Sequence, residues 1–349
     1  LVFALLFLCP GKLAAQGNTN ANAPKSAAAQ PSTHEVMDEV GRTVRIPLVP
    51  TRIVSLAPNL TETVYALGLQ DRLVGDTDYC DYPPEAQKKP KVGGAINPNL
   101  EQIAALRPDL VLVTKDLNRL DTVRALDTLG IPSYSTDAAH TIDGIISSTE
   151  RLGDILGAAQ AGKAVGDDLH LRLATLQEKL RSAPATHVLF VVWTEPLISA
   201  GKNTFIADAL RKAGAVSIVD STQDWPQMSL EEVVHLQPDY LVFAAAHAAE
   251  GTRDFEALMN RPGWHLLDAV RTRHYAVISD AVNRPAPRIV SAIEDLAHQL
   301  HPALFQDSPS PEKEIVPTNN TSPVQHPHAA LFAPDSSSDE CFAESACAL

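Results

Sequence analysis

The sequence predicts an α/β protein of two Rossmann-like lobes, joined by a single long backbone helix and enclosing a ligand cleft between lobes. Three observations predict it. Between about Glu35 and Phe305, short β-branched runs alternate with helical stretches, the signature of parallel strands joined by crossover helices. One strand-and-helix unit is used twice: NLEQIAALRPDLVLV from Asn99 matches SLEEVVHLQPDYLVF from Ser229, position for position, at an offset of 130 residues. Between the copies, His140 to Arg181 reads as helix, with Leu169, Leu173, Leu176 and Leu180 on one apolar stripe before Ser182, Ala183 and Pro184 stop it.

In chain order, residues 1–15 read as a secretory signal. The apolar run LVFALLFLC precedes KLAAQG, whose small residues suit cleavage near Ala14 or Ala15. Cys9 follows Leu8, where a lipid-anchor site wants a small residue, so anchoring is a minor alternative. Residues 16–34 are a polar linker that cannot offset its own ordering entropy. The N-terminal lobe is expected over 35–157, the backbone helix over 158–183 and the C-terminal lobe over 184–305. EVMDEVGRTVRIP is a hairpin turned at Glu39 to Arg42, with Gly41 free to take a positive φ, placed at a sheet edge. Strands are expected at Arg52–Ala57, at RLVGD, at Asp109–Thr114, at PSYST, at His187–Trp193, at YLVFAA and at HYAVIS. Residues 306–349 form a tail rich in Pro, Ser and acidic residues, expected to be disordered. Cys341 and Cys347 lie in it and can pair in an oxidising compartment. Cys80 is then a lone packed cysteine, without the Cys/His spacing of a zinc site.

Composition narrows the function. The 349 residues carry 28 basic and 42 acidic side chains, a net charge of −14. A nucleic-acid partner would meet a repulsive field, and no basic stripe opposes it. With 45% apolar and 20% charged residues the chain is globular and large enough for two cores. After Leu1–Cys9 no apolar run approaches the roughly 20 residues of a membrane helix. Catalysis finds little support: GxSxG, Walker and HExxH motifs are absent, and the VGGA stretch lacks the strand-turn-helix context of a dinucleotide site. The 12 histidines are scattered. His326 and His328 fall in the tail, and His247 after YLVFAA is the one cleft histidine, with packing the simpler reading.

In each copy of the repeated unit, Asn99 or Ser229 can cap a short helix, with Gln102 or Glu232 completing a capping box. Glu101 and Glu231 therefore occupy the same second position of equivalent helices. A first-turn carboxylate is favoured by the helix dipole alone, yet a matched pair also suits a partner with two basic patches. Both readings stand at this level.

Ligands of such folds bind at the carboxyl ends of the strands. There Asn59 or Thr61 can cap a helix ending at Gly68, and Gly201 and Asn203 precede another helix; such openings bind anions or simply cap. Tyr79 in DTDYCDYPPEA, Trp193 at a strand end and Trp225 in QDWPQMS, flanked by Asp224 and Gln227, place flat rings where a bulky, partly polar ligand would sit, or where they seal a core. Arg284 and Arg288 in NRPAPRIV precede the last helix, facing the cleft or pairing at the surface.

With PNLTE, DYCDYPPEA, VGGAINPNLEQIAALRPDLVL, DWPQMSLEEV and RPAPRIV in order, the body from Val36 to Phe305 resembles the periplasmic substrate-binding proteins of ABC importers with a helical backbone. It most resembles their cobalamin-binding branch. The resemblance implies a periplasmic, non-enzymatic, monomeric carrier, without cofactor or metal of its own, whose transported ligand is a corrinoid. It implies that Tyr79 and Trp225 contact the corrinoid, with Trp193 and Arg284 beside them, and that Glu101 and Glu231 dock onto arginines of a permease dimer. Some cobalamin binders carry further tryptophans where this chain has Ala95 and Thr114. Within the same class, the alternatives are haem, with Tyr79 or His247 as axial ligand, or a ferric siderophore; outside it, an enzyme or metallochaperone on a related two-lobed scaffold.

Overall fold

The computed structural model describes residues 32–245 and 248–305. The expected signal, nearly all of the linker, the tail with its cysteines and histidines, and His247 lie outside the described residues.

The described chain opens with an antiparallel hairpin, β1 (Thr33–Met37) and β2 (Thr43–Pro47). Its turn carries Gly41 at φ +85° and is closed by Asp38, which accepts from both the backbone N–H and the side chain of Arg42. The first lobe then supplies β3 (Ile53–Ser55), β4 (Leu73–Gly75), β5 (Leu110–Thr114) and β6 (Ser133–Thr136), a parallel sheet in the order β4-β3-β5-β6. The opening hairpin remains a sheet of its own. It leans on the β6 edge, where Glu39 N–H donates to Ser135 O and the Arg42 guanidinium donates to Ser133 and Ser135.

Three helices belong to this lobe: α1 (Pro58–Ala66), α2 (Leu100–Ala105) and α3 (Leu120–Thr128). Neither Asn59 nor Thr61 caps α1. Its cap position is Ala57, and Pro58 at the first turn lacks the N–H that a cap would have to satisfy.

The helical reading of His140 to Arg181 divides at Gly157, whose φ is +67°. Instead of one long helix there are two, α4 (Ile142–Ile155) and α5 (Ala159–Leu180), packed against each other. Added Cβ atoms show how closely: one at Gly153 would stand 2.7 Å from the Gly162 Cα. Both helices reach both cores. Ile142, Ile145 and Ile146 of α4 join the second lobe's core, as do Leu169, Leu173 and Leu176 of α5, while Leu152 and Ile155 sit in the first lobe's core with Ala161 against it. Val165 touches both.

The second lobe contains β7 (Thr186–Val191), the short hairpin β8 (Trp193–Thr194) and β9 (Leu197–Ile198), α6 (Phe205–Lys212) and β10 (Ala215–Ser217). It continues with α7 (Leu230–Leu236), β11 (Tyr240–Ala245), α8 (Ala248–Met259), α9 (Asp268–Arg271), β12 (Tyr275–Ser279) and α10 (Ile289–Leu300). Its sheet is parallel in the order β10-β7-β11-β12, the order of the first sheet repeated. β10 went unread in the sequence, and the expected strand His187–Trp193 is cut short, leaving Trp193 on the separate hairpin.

The duplication holds in detail. Asn99 Oδ1 accepts from Gln102 N–H at 3.0 Å and Ser229 Oγ from Glu232 N–H at 3.1 Å. The expected return arm of the capping box is replaced in the first copy, where Asn99 N–H donates to Val92 O at 2.7 Å. After each helix the equivalent residues Arg107 and Gln237 turn the chain through the left-handed region, at φ +48° and +43°. The carboxylates that follow, Asp109 and Asp239, accept backbone N–H groups at the start of β3 and β7. Among the described residues no helix is long and apolar enough to cross a membrane.

Candidate functional site

The loops after β4 and β10 lead into α2 and α7, so they are equivalent parts of the two lobes, and they carry Tyr79 and Trp225 respectively. The first loop is fixed from beneath by Lys91. Its ammonium donates to Asp76 at 2.8 Å and to the carbonyls of Cys80 and Ala86. Burial pushes the Asp76 carboxyl up to about 6 against the pull of Lys91, and its second oxygen has no partner among the described residues. Cys80 is buried between the hydroxyls of Thr61 and Thr77, and burial raises its thiol. Above this base Tyr79 is half-buried against Gly94.

The second loop lies as an extended strap along β9 and the residues after it. Ser199 N–H donates to Pro226 O, Met228 N–H to Leu197 O and Gly201 N–H to Asp224 O. A Cβ on Gly201 would stand 1.8 Å from the Gln223 carbonyl oxygen, so the strap requires glycine there. Trp225, 37% exposed, is thereby presented at the surface of the strap. Trp193, equally exposed, folds over its own turn, with its indole N–H donating to Glu195 O at 2.7 Å. The next helix is capped by Thr204, whose hydroxyl accepts from Ala207 N–H, and not by Asn203.

Each loop reaches the other lobe. From the first, Asp81 accepts from Arg284 Nη1 at 2.6 Å, and Tyr82 lies under the Arg288 guanidinium at 3.9 Å. From the second, the Asp224 charge acts on Asp116, an exposed carboxylate beyond β5, in the same sense as Asp137 and against His140 and Lys115. Asp224 also lines a hollow of about 500 Å³ with His140, Thr141, Lys202, Asn203 and Arg211. A small polar cavity behind it joins Asn59, Asp116, Asp137 and Ser148 to Pro285 of the second lobe.

Arg284 departs from the expected ligand contact. It is 7% exposed, and its Nη1 is shared by Glu62 and Asp81. Burial works against its charge, but Asp81 and Glu62 outweigh that and hold the guanidinium above its ordinary value. Only Nη2 is left without a partner among the described residues. Sequence reasoning missed Glu62 and Asp81; the nearest signal was the pair of arginines with no acidic neighbour in their own segment.

Ala95 and Thr114 are both buried. Asn118 stitches them together: its Oδ1 accepts from Thr114 N–H at 2.7 Å, and its Nδ2 donates to Leu56 O and Ala95 O, both at 2.9 Å. Glu101 and Glu231 are exposed on the first turns of α2 and α7, related by the repeat.

Two parallel sheets of identical order, bridged by helices and turning equivalent aromatic loops toward each other's lobe, define a two-lobed α/β binding protein of the helical-backbone class. The chain belongs to the periplasmic binding protein family, whose pattern matches residues 53–281. It is 31% identical over 315 residues to an uncharacterized ABC transporter substrate-binding lipoprotein, YvrC, of Bacillus subtilis, covering 88% of this chain and 98% of that protein. It is 30% identical over 257 residues to a vitamin B12-binding protein of Vibrio cholerae, covering 73% of this chain and 90% of that one. Among solved structures, the periplasmic vitamin B12 binding protein BtuF of Vibrio cholerae superposes with a TM-score of 0.62 at 29% identity, over 74% of this chain and 99% of that one. The apo periplasmic heme-binding protein RhuT of Roseiflexus sp. RS-1 gives 0.64 at 26% identity, over 72% and 98%.

Proposed function

We propose that the protein captures a corrinoid, cobalamin or a close analogue, between its lobes outside the inner membrane and delivers it to the permease dimer of an ABC importer. It catalyses no covalent step and acts as a monomer. The observation that carries this reading is the placement of Tyr79 and Trp225 on equivalent loops, the first tied to the opposite lobe through Asp81 and Tyr82 and the second bordering a hollow with His140 and Thr141, in a chain whose relatives include vitamin B12-binding proteins. Flat rings on opposed loops suit the faces and edges of a macrocycle, whose burial contributes roughly 25 cal/mol per Å² before ordering costs. Trp193 adds an apolar flank, and Arg284 acts behind the site by holding Asp81 of the Tyr79 loop. Glu101 and Glu231 supply the paired negative charges for docking to basic patches on the two permease subunits. Export through the leader fits a family of substrate-binding proteins that act outside the cytoplasm.

Titration calorimetry of the purified protein with cyanocobalamin, dicyanocobinamide, haemin and a ferric hydroxamate tests the ligand. Tightest binding is expected for one of the two corrinoids, and Trp225→Ala is expected to weaken it by about 1–3 kcal/mol. Haemin or the hydroxamate binding more tightly would transfer the site to that ligand. An isotherm unchanged by Trp225→Ala would remove that ring from the site.

A further inference from the structure

We propose that Glu62 is a positioning residue that sets the gap between the lobes and, through its arginine partners, the stance of the loop carrying Tyr79. The inference rests on, and deepens, the reading of that gap as the ligand site. Glu62 stands midway along α1 with its side chain 2% exposed, and both of its oxygens face the second lobe. Oε1 accepts from Arg284 Nη1 at 2.9 Å and from Arg288 Nη2 at 3.0 Å, while Oε2 accepts from Arg288 Nε at 3.0 Å. One carboxylate is thus held bidentately by one guanidinium and touched by another, a geometry that fixes direction as well as distance.

The same two arginines hold the Tyr79 loop. Arg284 Nη1 donates to Asp81 at 2.6 Å, the Arg288 ring contact is with Tyr82, and Arg288 Nη1 donates to Asp280 at 3.2 Å on its own lobe. Asp81 and Tyr82 lie two and three residues after Tyr79. Removing the Glu62 charge therefore takes one shared anchor from both arginines at once, and these are the arginines that contact Asp81 and Tyr82 of this loop.

Well-packed apolar side chains would serve bare stability about as well as a buried ion pair, because desolvation consumes much of the Coulombic gain. What the charges add here is register across a gap that must also admit a ligand. If loosening the lobes cuts the binding-competent fraction to about a tenth, the apparent dissociation constant rises about tenfold.

The interlobe distance and the ligand association rate decide it. Spin labels on Arg124→Cys in the first lobe and Asp220→Cys in the second, in the full chain with Cys9, Cys341 and Cys347 changed to Ser, read the interlobe distance by pulsed electron resonance without any ligand. Both label positions are exposed, and Cys80 is buried. The unaltered lock should give one narrow distribution, Glu62→Gln a distribution roughly twofold broader, and Glu62→Asp an intermediate one. Cyanocobalamin should associate with Glu62→Gln about tenfold more slowly, with little change in its dissociation rate. Arg288→Gln, which keeps the Glu62–Arg284 pair, should broaden the same distribution and serves where Glu62→Gln fails to fold. A folded Glu62→Gln or Arg288→Gln protein with the narrow distribution and the original association rate overturns the proposal. Failure of the unaltered protein to bind cyanocobalamin would instead remove the corrinoid reading, and the ligand-free distances would still decide the role of Glu62.

Discussion

Asp76 lies beneath the Tyr79 loop with its side chain wholly buried, and its chemistry sets a pH dependence. Burial raises its carboxyl from the ordinary 3.8 to about 6. The folded state therefore favours the protonated form, so the stabilising contribution is complete below about 3.8 and is lost as pH climbs through about 6. Two units correspond to about 3 kcal/mol. Urea unfolding at pH 4 and pH 7.5 should show the unaltered protein losing up to that amount relative to Asp76→Asn, and parallel pH profiles for the two would contradict the assignment. At this scale the sequence was only half legible. Tyr79, Trp225 and the glutamate pair could be placed because each sits in a recognisable local phrase. The role of Arg284 could not, since its partners Glu62 and Asp81 are 222 and 203 residues away along the chain and no local pattern joins them.

Elements were legible in proportion to their length and repetition. The unit from Asn99 and its echo from Ser229 declared two caps, two helices and two strands, and the structure repeats even the left-handed residues after the helices. β8, β9 and β10 escaped notice because two or three residues carry no period. The backbone helix expected over 158–183 is matched by α5, and what the helical rhythm from His140 concealed is that α4 ends before Gly157 and packs beside α5 as a second helix. The strap bearing Trp225 depends on the absence of one methyl group, since an added Cβ at Gly201 would press on the Gln223 carbonyl. Gly201→Ala should accordingly lower stability by about 1–3 kcal/mol, as overpacking of a closed site does, and weaken cyanocobalamin binding by displacing Trp225. Thermal melting together with calorimetry checks this; an unchanged melting midpoint with unchanged affinity would show that the strap yields at no cost.

For the molecule as a whole, the repeat places Glu101 and Glu231 at matching points of the two lobes, and neither belongs to the ion pairs that join those lobes. Exposed first-turn carboxylates contribute little to folding, at most about 1 kcal/mol each. The double variant Glu101→Arg with Glu231→Arg should thus fold and bind its ligand normally while uptake into cells is abolished. Normal uptake would assign docking to another surface. The two-lobed plan was readable from the duplication and the backbone helix from its leucine stripe, whereas the share of α4 in joining the lobes was not.

That joining has its own consequence. Because α4 and α5 each furnish side chains to both interiors, neither half of the chain owns a complete core. The protein is divisible in outline only. A cut anywhere between the lobes would strip a wall from each fragment.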